Sequence, residues 1–242
     1  LKPSAIREVL KATSVPGMIP FAAGNPAPDA FPVAEVQEIA ADILKNRPID
    51  ALQYGVTEGY PELISLIKTR MKSKYGIGRD FDSIIITSGA QQVMDLSTKV
   101  LCNEGDVVIC ESPSFIGSLN CFRSYNAKLV GVPVDADGMN IEALEKALDE
   151  NPNAKMIYTI PNFQNPAGVT MSLEKRHRLY ELAKAHNVMI LEDNPYGDLR
   201  VAGEDVPNIK SFDEAGIVIY SGSFSKILAP GIRIGFTVAP AP

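Results

Sequence analysis

Lys226 stands in the stretch SGSFSKILAPGIRIG (residues 221–235), between two apolar, strand-like runs and among Ser223, Ser225 and Arg233. Lysine is rarely buried unless it is paired or has a chemical task. Two hydroxyls and a guanidinium suit a phosphate. An amine held beside other cations and partly desolvated sheds its proton readily and becomes a nucleophile for carbonyls. Four more stretches carry residues of similar promise. In DNPYGDL (193–199), Asp193 ends an apolar run and Tyr196 follows. A carboxylate there is costly unless a cation or a protonated ring nitrogen pairs with it. In PNFQNPAG (161–168), Asn165 is either a loop former or an amide donor to a ligand oxygen. In PSFIG (113–117), Phe115 is either a core aromatic or a flat platform for a planar ligand. In SGAQQ (88–92), Gly89 and the amides of Ala90 and Gln91 make either a tight turn or an anion site at a helix N-terminus.

Each of these stretches follows a strand-like run, so the elements explain the arrangement. Short β-branched runs occur at 83–89, 107–112, 128–134, 155–160, 188–193, 217–222 and 232–239. Helical periodicity fills several gaps: Val36, Ile39, Ala40, Ile43 and Leu44 predict an amphipathic helix over 33–45. Leu63, Ile64, Ile67 and Met71 predict one over 61–74, and Ser172 is the expected N-cap of a helix over 172–186. Near-continuous apolar strands alternating with helices predict an α/β fold with a mostly parallel seven-stranded sheet covered on both faces. Ligands bind such sheets outside the carboxyl ends of the strands, where the candidate residues lie. The first 30 or so residues differ, with a short helix over PSAIREVLKATS and a Pro/Gly-rich extended arm over GMIPFAAGNPAPDAFP.

Composition narrows the partners. The 242 residues are 45% apolar and 21% charged, an ordinary globular balance. A net charge of −6 without a basic tract argues against nucleic acid. No run approaches the ~18 apolar residues of a membrane span. Cys102, Cys110 and Cys121 form no CxxC and are odd in number, which fits a reducing cytoplasm. His177 and His186 lack helical metal spacing, so no metal site is expected. The charged run EKRHR (174–178) reads as a solvated helix face, and Cys110 as a buried strand residue. The chain begins with Leu1, so a preceding segment remains open.

The stretch around Lys226 resembles the cofactor-lysine motif of class I aminotransferases, in the fold-type I group of pyridoxal-phosphate enzymes. YGVTEGYPELI (54–64) resembles the family's Y-G-x-x-x-G-x-x-x-L segment, NPAG (165–168) its N-P-x-G loop, and DNPYGDL its D-x-x-Y segment. They stand in the family's order, and the resemblance covers about residues 1–240. KPSAIREVLK and FAAGNPAPDAFP are most similar to the subgroup acting on 2-aminoadipate, kynurenine, aromatic and branched-chain amino acids.

The resemblance implies pyridoxal 5'-phosphate as cofactor and a role for each residue. Lys226 would form a Schiff base with the cofactor and then move the substrate's α-proton. Asp193 would hold the pyridine nitrogen protonated. Tyr196 and Asn165 would bond the ring oxygen, and Phe115 would stack on the ring. Ser223, Ser225, Arg233 and the turn at Gly89, Ala90 and Gln91 would hold the phosphate. Tyr54 would reach the phosphate of a neighbouring subunit in a homodimer, and Gly24 and Asn165 would contact the substrate, Gly24 at its carboxylate. The implied reaction is ping-pong transfer of an amino group from an L-amino acid to a 2-oxo acid, with 2-oxoglutarate as the expected acceptor.

In domain terms, residues 1–30 would be an arm and the start of a small domain, and 31–242 the large cofactor-binding domain. The family continues well over a hundred residues further and carries there an arginine for the substrate carboxylate. This chain is therefore expected to be part of a longer protein. The arm reads AAGNP where many relatives have a second glycine, so Asn25 bears on substrate choice. Two rivals stay open: β-elimination or decarboxylation on the same scaffold, and the ligand-sensing domain of a transcription regulator.

Overall fold

The computed structural model describes residues 17–19 and 24–241. The helix expected over PSAIREVLKATS lies outside the described residues, as do residues 20–23 of the arm.

Eight strands form one sheet: β1 (Asp82–Thr87), β2 (Val107–Ser112), β3 (Lys128–Asp135), β4 (Gly138–Met139), β5 (Ala154–Thr159), β6 (Met189–Asp193), β7 (Val218–Ser223) and β8 (Gly235–Pro240). Their order is β1-β8-β7-β6-β5-β2-β3-β4. Seven match the expected runs. The eighth, β4, is a two-residue strand folded back on β3, too short to leave a periodic signal. The five strands from β7 to β3 are mutually parallel. β8 is antiparallel to both β1 and β7.

Side chains alternate across the sheet, and both faces are covered. Val107, Ile109, Ile157 and Ile190 pack on one face against Leu144 and Leu148 of the helix Ile141–Glu150 and Leu179 and Ala183 of the helix Leu173–Ala185. Val108, Cys110, Tyr158 and Leu191 point the other way, into a cluster with Val93 and Met94 of the helix Ala90–Leu101. Two covered faces explain why these strands read as unbroken apolar runs. Two helices start on side-chain caps: the Ser172 hydroxyl accepts from Lys175 N (3.3 Å), as expected, and Asn140 accepts from Ala143 N (2.8 Å).

The amphipathic helix forms over Val33–Asn46, but it buries no residue. Val36, Ile39 and Leu44 remain exposed, so its apolar stripe finds no partner among the described residues. The reading of 174–178 as solvated is corrected at its centre. Arg176 is 0% exposed, and its guanidinium donates to the carbonyls of Pro161, Met171, Val206 and Pro207 and to Asn162 Oδ1. Five acceptors replace the water that a buried cation loses. Beside it, His177 stacks on Phe212. Cys110 is buried, as expected. No described helix is long and apolar enough to cross a membrane.

Candidate functional site

The antiparallel course of β8 assembles one end of the site. Gly235, its first residue, pairs with both Thr87 and Ser223, so the carboxyl ends of β1 and β7 meet the start of β8. Gly89, Ser223 and Arg233 converge there although Gly89 lies far from the other two in sequence. Gly89 adopts φ +73° and caps the helix Ala90–Leu101 without a side chain, so the first amides of that helix have no side-chain cap. A Cβ on Gly89 would collide with the Arg233 guanidinium. A Cβ on Gly235 would stand 2.8 Å from the Ala90 nitrogen, so the close backbone approach needs glycine there too. Arg233 itself has φ +57°, and its Nη2 donates to the Ser88 carbonyl (3.3 Å). Ser223 Oγ accepts from Ser225 N (3.1 Å), fixing the turn that leads to Lys226. Lys226 Nζ donates to the Gly24 carbonyl (3.0 Å), which brings the arm to the amine.

Asp193 ends β6 and pairs in register with Ser221 of β7. It is buried, and its Oδ2 accepts from the Tyr158 hydroxyl (2.9 Å). Oδ1 has no hydrogen-bond partner among the described residues, nor does the Ser221 hydroxyl beside it. Burial pushes the Asp193 carboxyl up to about 6, while the Tyr158 hydroxyl and then the neighbouring Ser221 hydroxyl pull the other way. Tyr158 is buried too, and its hydroxyl accepts from Ser118 Oγ (2.9 Å). Because a carboxylate only accepts, the chain runs Ser118 to Tyr158 to Asp193, and Oδ1 is the oxygen left for a ligand.

This chain of bonds gives a test in the cofactor-free protein. Tyr158→Phe keeps the ring, which meets Phe122 edge-on at 5.3 Å, and deletes the donor. The Asp193 carboxyl should then titrate above its present value of about 6, since only the charged form gained from the bond. Carbon NMR of labelled aspartate reads this directly; an unchanged or lower midpoint would contradict the assignment.

Asn165 Nδ2 donates to the Tyr196 hydroxyl (3.2 Å), joining the loop after β5 to the turn after β6. Phe115 is half-buried at the start of the helix Ile116–Ser124. The Gln91 side chain donates to the Gly117 carbonyl of that helix (3.3 Å). Tyr54 stands apart, 99% exposed, and joins none of these residues. Tyr158, Gln164, Glu111 and Arg176, which hold the named residues in place, were missed by sequence reasoning. Tyr158 and Glu111 sit inside apolar runs, Gln164 in a loop and Arg176 in a charged tract, so only their contacts reveal them. Among the described residues no cluster of His, Cys, Asp and Glu could hold a metal ion.

Pyridoxal phosphate needs an anion cradle, a partner for its ring nitrogen and an amine for its aldehyde. An uncapped helix start with Arg233 and two serine hydroxyls suits a phosphate. The buried, unpartnered Asp193 Oδ1 suits a protonated ring nitrogen. Lys226 supplies an amine near these strand ends. The residues present fit that group.

Together, this sheet order and this edge define a fold-type I α/β scaffold. Residues 16–242 match the model of the aminotransferase class I and II family, and the chain belongs to that family. It is 45% identical to an aromatic-amino-acid aminotransferase of Thermococcus litoralis, over 99% of this chain and 58% of that protein. It is 39% identical to a 2-aminoadipate transaminase of Thermus thermophilus, over 99% of this chain and 59% of that protein. A kynurenine aminotransferase of Pyrococcus horikoshii, solved in complex with PMP, superposes with a TM-score of 0.93 at 40% identity, over 99% of this chain and 60% of that one. The chain thus spans about 60% of the length of these relatives.

Proposed function

We propose that this chain is the cofactor-binding part of a pyridoxal-phosphate aminotransferase. It would move an amino group from an L-amino acid of the 2-aminoadipate, aromatic or branched-chain type to a 2-oxo acid, with 2-oxoglutarate as acceptor. The observation that carries the reading is the buried, unpartnered Asp193 Oδ1, one strand away from the loop that presents Lys226. When bound, pyridoxal phosphate supplies an aldehyde for amines and a ring that takes up the electron pair released at the substrate's α-carbon. Lys226 Nζ would tether the group and, once displaced by the substrate amine, would take the proton from the substrate's α-carbon and deliver it to the carbon that was the cofactor's aldehyde. Asp193 Oδ1 would hold a proton on the ring nitrogen. Asn165 and Tyr196 would bond the ring oxygen, and Phe115 would stack on the ring. Arg233, Ser223, Ser225 and the amides of Ala90 and Gln91 would hold the phosphate at the uncapped helix end after Gly89. Gly24 would lie at the substrate carboxylate, a role supported by the bond from Lys226 Nζ to its carbonyl.

The same reading assigns residues 1–30 to the arm and the start of a small domain, and 31–242 to the large domain. Two features support a homodimer: the exposed Tyr54 and the apolar stripe of the helix Val33–Asn46, which no described residue covers. Tyr54 would then serve the partner's phosphate. Three free cysteines support a reducing cytoplasmic setting.

The test is an absorbance spectrum of the full-length protein, before and after adding 2-aminoadipate without an oxo acid. We expect a visible cofactor band that disappears as the 2-oxo acid is released, one molecule per site. A band indifferent to a panel of amino acids would overturn aminotransfer, and no band with added pyridoxal phosphate would overturn the cofactor.

A further inference from the structure

Glu111 is a buried carboxylate for which the proposed reaction has no use. It is 2% exposed, one residue before the end of β2. Its hydrogen-bond partners are three neutral donors. The Thr159 hydroxyl reaches Oε1 (2.7 Å), and Ile160 N (3.2 Å) and Gln164 Nε2 (3.0 Å) reach Oε2. Burial pushes the carboxyl up to about 7; the three donors pull it down, and Asp193 adds to the upward push.

Gln164 is the hinge pin of this cluster. Its Nε2 also donates to the Pro113 carbonyl (2.9 Å), and its Oε1 accepts from Ala167 N (2.8 Å). All three polar contacts agree on one amide orientation. Two acceptors on one side demand the NH2, and a backbone N–H on the other demands the oxygen. The Gln164 carbonyl also accepts from Gly168 N, and its N–H donates to Val169 O (2.7 Å). The loop 164–169 is therefore wound around this one side chain, and Asn165 is the next residue.

We propose that Gln164, locked by the buried Glu111, is a positioning residue that aims the Asn165 amide at Tyr196 and at the ring oxygen of the cofactor. The proposal rests on the cofactor reading above. It needs an acceptor at Glu111 Oε2, not a charge. Glu111→Gln can keep Ile160 and Gln164 on its amide oxygen and turn its NH2 to the Thr159 hydroxyl, which can accept. Glu111→Leu cannot.

The test measures the dissociation constant of pyridoxal phosphate for the full-length protein and the pH midpoint of its visible band, with the melting temperature of the cofactor-free protein alongside. Gln164→Leu should weaken the cofactor roughly tenfold and move the band midpoint in the same direction as Asn165→Ala, because both disturb the donor to the ring oxygen. In an Asn165→Ala background the same change should cost less than about twofold, since its target is gone. Glu111→Leu should resemble Gln164→Leu, and Glu111→Gln should restore both readouts. If Gln164→Leu only lowers the melting temperature, or adds in full to Asn165→Ala, the role assigned here is overturned. That conclusion stands even if Glu111→Leu fails to fold. A wild-type protein that binds no cofactor overturns this proposal together with the reading it rests on. A wild type that binds it beside indifferent variants overturns this proposal alone.

Discussion

Lys226→Ala should abolish amino-group transfer by the full-length protein while leaving its fold in place. The side chain is half-buried, and its one hydrogen bond goes to the Gly24 carbonyl of the arm. It takes part in no ion pair among the described residues. Removing it should change stability by no more than about 0.5 kcal/mol, as for substitutions away from the core. Its chemical loss is far larger. A positioned acid–base group contributes a factor of roughly 10²–10⁴, and the same amine is the proposed tether. We expect turnover to fall by at least about 10⁴-fold. Adding a small primary amine should recover a measurable part, because it can replace the proton carrier. Turnover assays with purified holoenzyme decide the matter. A variant within about tenfold of wild type would remove Lys226 from both roles.

The second large effect runs in opposite directions for stability and function. Burial pushes the Asp193 carboxyl up to about 6, against an ordinary value of 3.8, and the Tyr158 and Ser221 hydroxyls offset only part of that push. A carboxyl raised in this way takes up its proton more readily folded than unfolded. Stability is therefore lost as pH rises through the interval between those values and stays lower above it. At neutral pH the cofactor-free fold carries a penalty on the order of 3 kcal/mol. Asp193→Asn removes the charge but keeps an oxygen for the Tyr158 hydroxyl. The cofactor-free variant should be more stable at pH 7, with little difference from wild type near pH 4. Cofactor affinity and turnover should fall, turnover by ~10²-fold or more, since an amide cannot hold the ring nitrogen protonated. Denaturant melts at two pH values and a turnover assay test both halves. A variant that turns over at near wild-type rate would end the role given to Asp193.

The same pair of residues shows how far sequence order carries the argument. Asp193 ends one strand-like run and Lys226 follows another, and both strands form where expected and lie side by side in parallel. Local chemistry was enough for that. β-branched apolar runs favour strands, Ser172 offers a helix cap, and polar residues after a strand end have only the carboxyl edge of the sheet to occupy. Local order also brought Asn165 and Tyr196 to neighbouring loops, where they bond.

Long-range pairing decided the rest. Nothing in residues 232–240 states that β8 runs antiparallel between β1 and β7, yet that course sets Arg233 against Gly89. Arg176 looked like one more charge in a solvated tract, and became the buried anchor of five oxygen atoms because two distant loops close over it. Glu111 and Gln164 lie more than fifty residues apart, and their bond exists only after β2 and β5 pair. The stripe on the helix Val33–Asn46 announced burial, but the described residues place nothing over it. Residue types and their periods set which elements form and which edge carries the polar groups, because those depend on neighbours a few residues away. Which oxygen of Asp193 stays free, which arginine is buried and which glycine admits a guanidinium depend on contacts between strands distant in the chain. Those contacts arise only when the whole sheet closes.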